Sequence, residues 1–394
     1  MSNAPAAIKL VGVTIFMKLV YYSPSSYGGL ADYAHKQANA LVQSGVEVYF
    51  LCTHNYPVER GESYQVIPVL QEMKPGRKNL SRLSKVFHYC KVTLFNYRQL
   101  ATYIEAHNIQ AVLLGSYEEY LAPIWSGQFR NLARTGVVFG AIIHDPVRDF
   151  ILGPRWWHRW SIASAYSFLR EAFVHETIKL NTVRPMPLRT TVIPHGPYHF
   201  SDPGTTREQL RLEMKIPESA IVLLSFGHIR DEKNLDLALK AIADFPNIYL
   251  IVAGAPSSST QRTLSFYQNL AEDLKISDRC RWEIGFVPAD QVADLFNASD
   301  IVLLTYSAHF RSASGVLNTA VAYRRPCIAS AGMSNLRSMV LKYNLGIFVE
   351  PDNWEAIRDG IQLMLGGIGE IKWEDYERDN CWSKNAEIII KNFE

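Results

Sequence analysis

The chain has 394 residues, 48% apolar and 20% charged, with 40 Lys and Arg against 38 Asp and Glu. Its length predicts two domains of ordinary size, and its composition excludes disordered and collagen-like chains. A net charge of +2 excludes a protein that binds nucleic acid over its whole surface.

That balance conceals an asymmetry. Residues 1–200 carry 20 basic and 12 acidic side chains, the remainder 20 and 26, so the two halves are expected to meet different partners. Five cysteines (Cys52, Cys90, Cys280, Cys327, Cys381) stand singly, without C-x-x-C or zinc spacing, which predicts reduced thiols in a cytoplasmic protein. No apolar run reaches the roughly 18 residues of a membrane span. Residues 1–16 lack a basic start and a cleavage site and are set aside as a leader or extension.

From Met17 onward, short apolar runs alternate with amphipathic helical stretches. KLVYY is followed by the turn SPSSYGG and by a helix whose Leu30, Tyr33, Ala34, Ala38 and Leu41 share one face. VEVYFLC, AVLLG (111–115), VVFGAIIH (137–144), AFVH (172–175) and TTVIPHG (190–196) read as further strands. The polar, Pro/Gly-punctuated 201–218 reads as a linker. A second series then begins with IVLLSFG (221–227), IYLIVAGA (248–255), RCRWEIGF, DIVLLTY (300–306) and PCIAS (326–330), with helices between. The expected fold is α/β, two doubly wound Rossmann-like domains facing across a cleft, with ligands outside the carboxyl ends of the strands.

Three turns have the composition of a phosphate site. Gly28 and Gly29 join the first strand to the first helix, where glycine admits a close ligand and helix amides attract anions; a tight turn explains them equally well. In FGHIRDEKNLDLAL (226–239), Arg230 and Lys233 flank a turn into a helix and together can neutralise a diphosphate. In FRSASGVLNTAVAYRRP (310–326), the amides of Ser314, Gly315 and Val316 open a helix; a serine cap is the structural alternative. No G-x-G-x-x-G follows any strand, against a dinucleotide enzyme.

In order and spacing, YSPSSYGGLADYAHKQANAL, HDP (144–146), VIPHGPY (192–198), FGHIRDEKN, DLFNASDIVLLTY (294–306) and SGVLNTAVAYRRPCIAS resemble the GT-B glycosyltransferases of family 4 over residues 17–394. The resemblance implies an acceptor domain at 17–200, a nucleotide-sugar domain at 201–376 and a final helix, 377–394, crossing back to the first. It implies that Arg230 and Lys233 hold the donor diphosphate, that Gly29 approaches the same phosphates, and that His144 lies near the transferred sugar; Asp145 beside it reads as a residue that orients it, acts as base or caps the following turn. The substrate is then a nucleoside-diphosphate sugar with no cofactor and no metal. The acceptor is a saccharide or lipid-linked saccharide, the outcome retaining, the pathway polysaccharide or glycoconjugate synthesis. Arg311 and Thr319 stand where the family has two glutamates, and His228 where it has an arginine after the glycine of FG. Those departures leave a second reading, a silent relative that binds a glycan or partner protein; a sugar-nucleotide epimerase or phosphorylase of similar build ranks third. His195 reads as a structural turn.

Residues 74–98 hold seven basic side chains and no acidic one, interleaved with Leu80, Leu83, Val86, Phe87, Tyr89, Leu94, Phe95 and Tyr97. FILGPRWWHRW (150–160) adds three tryptophans among basic residues. Arg77, Lys78, Arg82 and Lys85 are accordingly expected to form a face for an anionic membrane, peripheral on its cytoplasmic side. An ordinary solvated helix is the alternative. No nucleic-acid motif is present.

Overall fold

The computed structural model describes residues 17–73, 81–146, 151, 153–183, 188–200, 202–256, 261–310, 313–332 and 334–394, with backbone only for Glu62 and Arg82. Residues 1–16, Arg77, Lys78 and Arg311 lie outside the described residues, as does the side chain of Arg82. The chain divides into two compact units, Met1–Ile193 with Trp382–Glu394, and Pro194–Cys381.

The first unit runs β1 (Met17–Tyr22), α1 (Gly29–Gln43), β2 (Val46–Thr53), β3 (Gln65–Leu70), α2 (Arg82–Ala106), β4 (Ala111–Leu114), α3 (Ala122–Arg134), β5 (Val138–Ile142), α4 (Arg155–Tyr166), β6 (Glu171–Val174) and β7 (Arg189–Val192). Its strands pair in parallel in the order β3-β2-β1-β4-β5-β6-β7. The period-two alternation of a strand divides β1 between the faces. Val20 and Tyr22 join a core with Tyr97 of α2, Trp125 and Phe129 of α3 and Ile162 of α4. Tyr21 points the other way, stacking on Phe50 at 5.3 Å. His144, expected at a strand end, lies beyond β5, which stops at Ile142.

The second unit runs α5 (Arg207–Glu213), β8 (Ile221–Phe226), α6 (Leu235–Ile242), β9 (Ile248–Gly254), α7 (Leu264–Asp273), β10 (Cys280–Ile284), α8 (Ala289–Ala298), β11 (Ile301–Thr305), α9 (Gly315–Ala322), β12 (Cys327–Ser330), α10 (Asn335–Lys342), β13 (Gly346–Phe348), α11 (Trp354–Leu365) and α12 (Trp373–Asp379). Its parallel sheet has the order β10-β9-β8-β11-β12-β13, so the strand order reverses between β8 and β11. The last helix, α13 (Trp382–Phe393), belongs to the first unit and packs on α1.

Residues 201–218 are not a linker, and the second unit begins earlier, at Pro194. Thr206 caps α5 by accepting from the Gln209 amide at 3.2 Å. Arg211, 3% exposed, donates to the carbonyls of Ala298 and Ala220, each at 2.9 Å, and to Asp300 at 2.7 Å. Burial pushes the Asp300 carboxyl up, but the Val222 amide, Arg207 and Arg211 outweigh it and hold it below its ordinary value. A sequence that looks polar is here a helix whose guanidinium is fully satisfied inside the fold.

Candidate functional site

In the second unit the candidate site is built on the strand-order reversal, where loops after adjacent parallel strands leave room for a ligand. After β8, Gly227 takes φ +88, a left-handed conformation that suits glycine. The chain then makes a single 3₁₀ turn at Asp231–Lys233 and enters α6 through Asn234, itself left-handed at φ 52. This turn is fastened to the loop after β11. Thr305 Oγ1 donates to the Lys233 carbonyl at 2.9 Å and the Ser307 amide to the Glu232 carbonyl at 2.9 Å, while Asn234 Nδ2 donates to Asp352, beyond β13, at 2.8 Å.

The fastening folds Lys233 back toward the strand, where its ammonium donates to the Phe226 carbonyl. Burial, and then the Arg230 charge, push Lys233 down to about 7. Arg230 is 3.8 Å from Glu232 and sits 6.0 Å above the Phe310 ring; its Nε is buried with no hydrogen-bond partner among the described residues. Arg230, with one buried nitrogen lacking a hydrogen-bond partner among the described residues, and Lys233, whose charged form burial disfavours, are both groups that an added negative charge would stabilise.

The first turn of α9 meets this turn. A Cβ built on Gly227 would stand 3.1 Å from Lys233 Nζ and 3.9 Å from Val316 Cγ2. Ser314 caps α9, accepting from the Leu317 amide at 3.2 Å with the Tyr306 hydroxyl 3.0 Å away. The amides of Gly315 and Val316 are in the first turn, where helix amides lack an intrahelical acceptor. Gly227, Arg230, Lys233, Ser314, Gly315 and Val316 thus belong to one constellation in one unit.

Beside it lies a set of which sequence reasoning read only His195, as a structural turn. Asn318 Nδ2 is 2.9 Å from His195 Nδ1, and its Oδ1 accepts from the Tyr376 hydroxyl at 2.7 Å. His195 Nε2 is 3.2 Å from the Tyr198 hydroxyl, and a Cβ on Gly315 would stand 3.4 Å from the Tyr198 ring. Asn318 Nδ2 also lies 3.2 Å from the Ser314 carbonyl one turn back on α9, and no local sequence pattern signals that this residue meets His195. Thr319 is buried and donates to the Gly315 carbonyl at 3.1 Å, so its hydroxyl is committed to its own helix.

In the first unit, Gly28 (φ 82) precedes α1 with no side-chain cap, and a Cβ on Gly28 or Gly29 would meet nothing within 4 Å. His144 Nε2 is 3.2 Å from the Gly115 carbonyl; its ring meets Tyr33 edge-on at 4.7 Å and lies 5.5 Å from His175. Asp145 is exposed. Lys85 is exposed on the first turn of α2. Among the described residues no group of three or more His, Cys, Asp or Glu is placed to hold a metal ion, and no helix is long and apolar enough to cross a membrane. All five cysteines are free thiols.

Residues 206–387 match the family model of glycosyl transferases group 1. The chain is 31% identical over 162 residues to the D-inositol 3-phosphate glycosyltransferase of Mycobacterium marinum, an alignment covering 39% of this chain and 33% of that protein. It therefore spans about a third of the length of the curated relatives it matches first. Among solved structures it is similar to sucrose-phosphate synthase from Thermosynechococcus elongatus, with TM-score 0.71 and 17% identity over 95% of this chain and 98% of that one. It is also similar to Anabaena HepE in complex with UDP and glucose, with TM-score 0.63 and 14% identity over 96% of each chain. The fold is the GT-B fold, two Rossmann-like α/β units in one chain, and its second unit carries the match to the group 1 glycosyl transferases.

Proposed function

We propose that this protein is a glycosyltransferase of the family 4 kind. It moves a sugar from a nucleoside-diphosphate sugar to a saccharide acceptor, lipid-linked, in polysaccharide or glycoconjugate synthesis. The observation that carries the reading is the convergence of Gly227, Lys233 and Val316, with Arg230 beside them. HepE, similar in fold, was solved with UDP and glucose, which supports a nucleotide sugar as the donor.

The chemistry follows from charge. The bond from the anomeric carbon to the terminal phosphate oxygen breaks, and that oxygen keeps the electron pair. An acceptor hydroxyl oxygen bonds to the anomeric carbon, and its proton passes to the departing diphosphate. Arg230, Lys233 and the first amides of α9 stabilise the charge that grows on the leaving group, the role in which preorganised donors contribute most. The reading needs no metal, because these groups supply positive charge and donors to the leaving diphosphate. In the first unit, Gly28 and Gly29 supply backbone amides suited to phosphate, and His144, with Asp145, is the group assigned to the sugar. Retention of anomeric configuration and a place on the inner face of the membrane complete the reading.

A thermal-shift series with UDP, GDP and ADP tests it, since a ligand that binds only the native state raises apparent stability by mass action. We expect at least one nucleotide to stabilise the protein, and Arg230→Ala and Lys233→Ala each to remove most of that shift and of sugar transfer. No shift with any nucleotide, or full shifts in both variants, overturns the assignment.

A further inference from the structure

The first two turns of α2, α3 and α4 bear large apolar side chains that stand exposed among the described residues of their unit. Leu83 is 84% exposed, Phe87 73%, Trp156 64% and Ile124 60%, and Val86 and Trp160 are exposed as well. Scattered exposed apolar residues are ordinary, but a gathered set marks an interaction surface.

Topology gathers these. Each helix follows a parallel strand, so each begins at the carboxyl edge of the sheet, and the three pack side by side, α2 on α3 and α3 on α4. One loop, 117–121, links their ends: the Tyr89 hydroxyl of α2 donates to Glu118 at 2.5 Å, and Ser161 of α4 donates to the Tyr120 carbonyl at 2.8 Å. Asn96, midway along α2, is level with the end of β3, holding the Gln71 amide and carbonyl at 2.8 and 2.9 Å. Leu83 is thirteen residues earlier, so at 1.5 Å per residue α2 projects about 20 Å past that edge. Its projecting part bears Leu83, Val86 and Phe87 outward.

Exposed cations stand among these side chains. Lys85 and Lys91 of α2 and Arg155 and Arg159 of α4 are exposed. Glu118 and Glu119, on the loop before α3, are half-buried and accept from the Tyr89 and Tyr166 hydroxyls, and Asp145 is the exposed acid at this edge among the described residues after β5. On α4, Arg155, Trp156, Arg159 and Trp160 repeat at four-residue spacing, so indole and guanidinium share one face. Indole prefers the boundary between hydrocarbon and headgroup, and a guanidinium beside it reaches lipid phosphate.

We infer that the projecting ends of α2, α3 and α4 form a docking surface for an anionic lipid bilayer, with Trp156, Trp160, Phe87 and Leu83 entering the headgroup region. Gly28, Gly29 and His144 follow strands of the same sheet, at the same edge. The surface would therefore present that edge to an acceptor held in the bilayer. In this the inference rests on the proposed transfer; its test does not.

Sedimentation with vesicles of phosphatidylcholine, with and without phosphatidylglycerol, reads the contact directly. We expect binding to the anionic vesicles, little to the neutral ones, and release as salt shortens the Debye length from about 10 Å at 0.1 M to about 3 Å at 1 M. Trp156→Ser with Trp160→Ser should weaken vesicle binding by about tenfold or more. A combined Lys85→Glu, Lys91→Glu, Arg155→Glu, Arg159→Glu variant should abolish it. Each variant is checked by its nucleotide-induced thermal shift, which reports the other unit's site. Absence of binding to anionic vesicles, equal binding to neutral ones, wild-type binding by both variants, or a solution dimer that shields Trp156 and Trp160 from quencher would each overturn the inference. A failed nucleotide shift with intact vesicle binding would instead count against the transferase reading alone.

Discussion

Gln37 of α1 donates a buried hydrogen bond of 2.7 Å to Asn385 of α13, 348 positions away in the chain. Both residues are wholly buried, and neither has a polar group to spare. Gln37 accepts from the Tyr21 hydroxyl at 2.7 Å, and both amides reach the Tyr33 hydroxyl, each at 3.1 Å. A closed network of this kind selects one seat for α13 on α1, because any slip leaves several buried polar atoms unpaired.

Asn385→Ala should therefore destabilise the first unit by about 2 kcal/mol, the size of leaving buried donors and acceptors unmet. Denaturant unfolding checks it. A loss below a few tenths of a kcal/mol would mean that α13 is held by its apolar face alone.

Lys233 makes a sharper prediction about pH. Free, its ammonium is held near 7 instead of its ordinary 10.5 by burial and by Arg230. A bound diphosphate places negative charge beside it and must raise that value, so binding takes up a proton wherever the free amine is neutral and the bound one charged. Nucleoside-diphosphate affinity should fall as pH rises from about 7 toward 9, approaching about tenfold per unit. Calorimetry at about pH 8 in buffers of different ionisation enthalpy should find close to one proton taken up; the phosphate's own second ionisation, at about 6, is complete there. Lys233→Arg, charged throughout, should bind without uptake. Proton-neutral binding by the wild type would remove Lys233 from the phosphates.

How far the sequence alone reaches is shown by the same residues. Short continuous apolar runs and helical faces place nearly every strand, because burial on both faces of a parallel sheet leaves a strong pattern. Arg230 and Lys233 are visible as cations at a strand-to-helix turn. Asn318, His195 and Tyr198 are not, because their meeting depends on how α9 packs beside the chain at Pro194, which no local pattern encodes. Arg211 misleads for a related reason: polar composition marks a loop only when the polar groups face water, and here backbone carbonyls satisfy them.

His144 is the test of the first unit. Its ring leans on Tyr33 and its Nε2 is 3.2 Å from the Gly115 carbonyl, so it is oriented without being enclosed. His144→Ala should lower turnover by about a hundredfold, the size of one lost polar contact at a centre of developing charge, and change donor affinity little. Steady-state kinetics with a nucleotide-binding control separates the two. Unchanged turnover in a folded variant would make His144 a packing residue.

The last prediction concerns acid. His175 is pushed down to about 3 by burial and by the neighbouring His144, and His35 to about 4 by burial, Arg60 and Lys36. Both titrate near 6.5 when the chain is unfolded. Between those values the unfolded chain binds protons that the folded one refuses, so their stabilisation is complete above about pH 6.5 and drains away as pH falls toward 4 and then 3. Asp32, Glu118 and Glu171, raised chiefly by burial, act in the opposite sense, since the folded protein takes up their protons first. The wild-type curve alone therefore mixes both signs, and the difference between two curves isolates the histidine. His175→Gln should lose up to about 1.4 kcal/mol per pH unit less than wild type on acidification below about 6.5. Parallel curves from urea unfolding at successive pH values would show that His175 protonates as readily folded as unfolded, and that the core around Tyr33 is open to water.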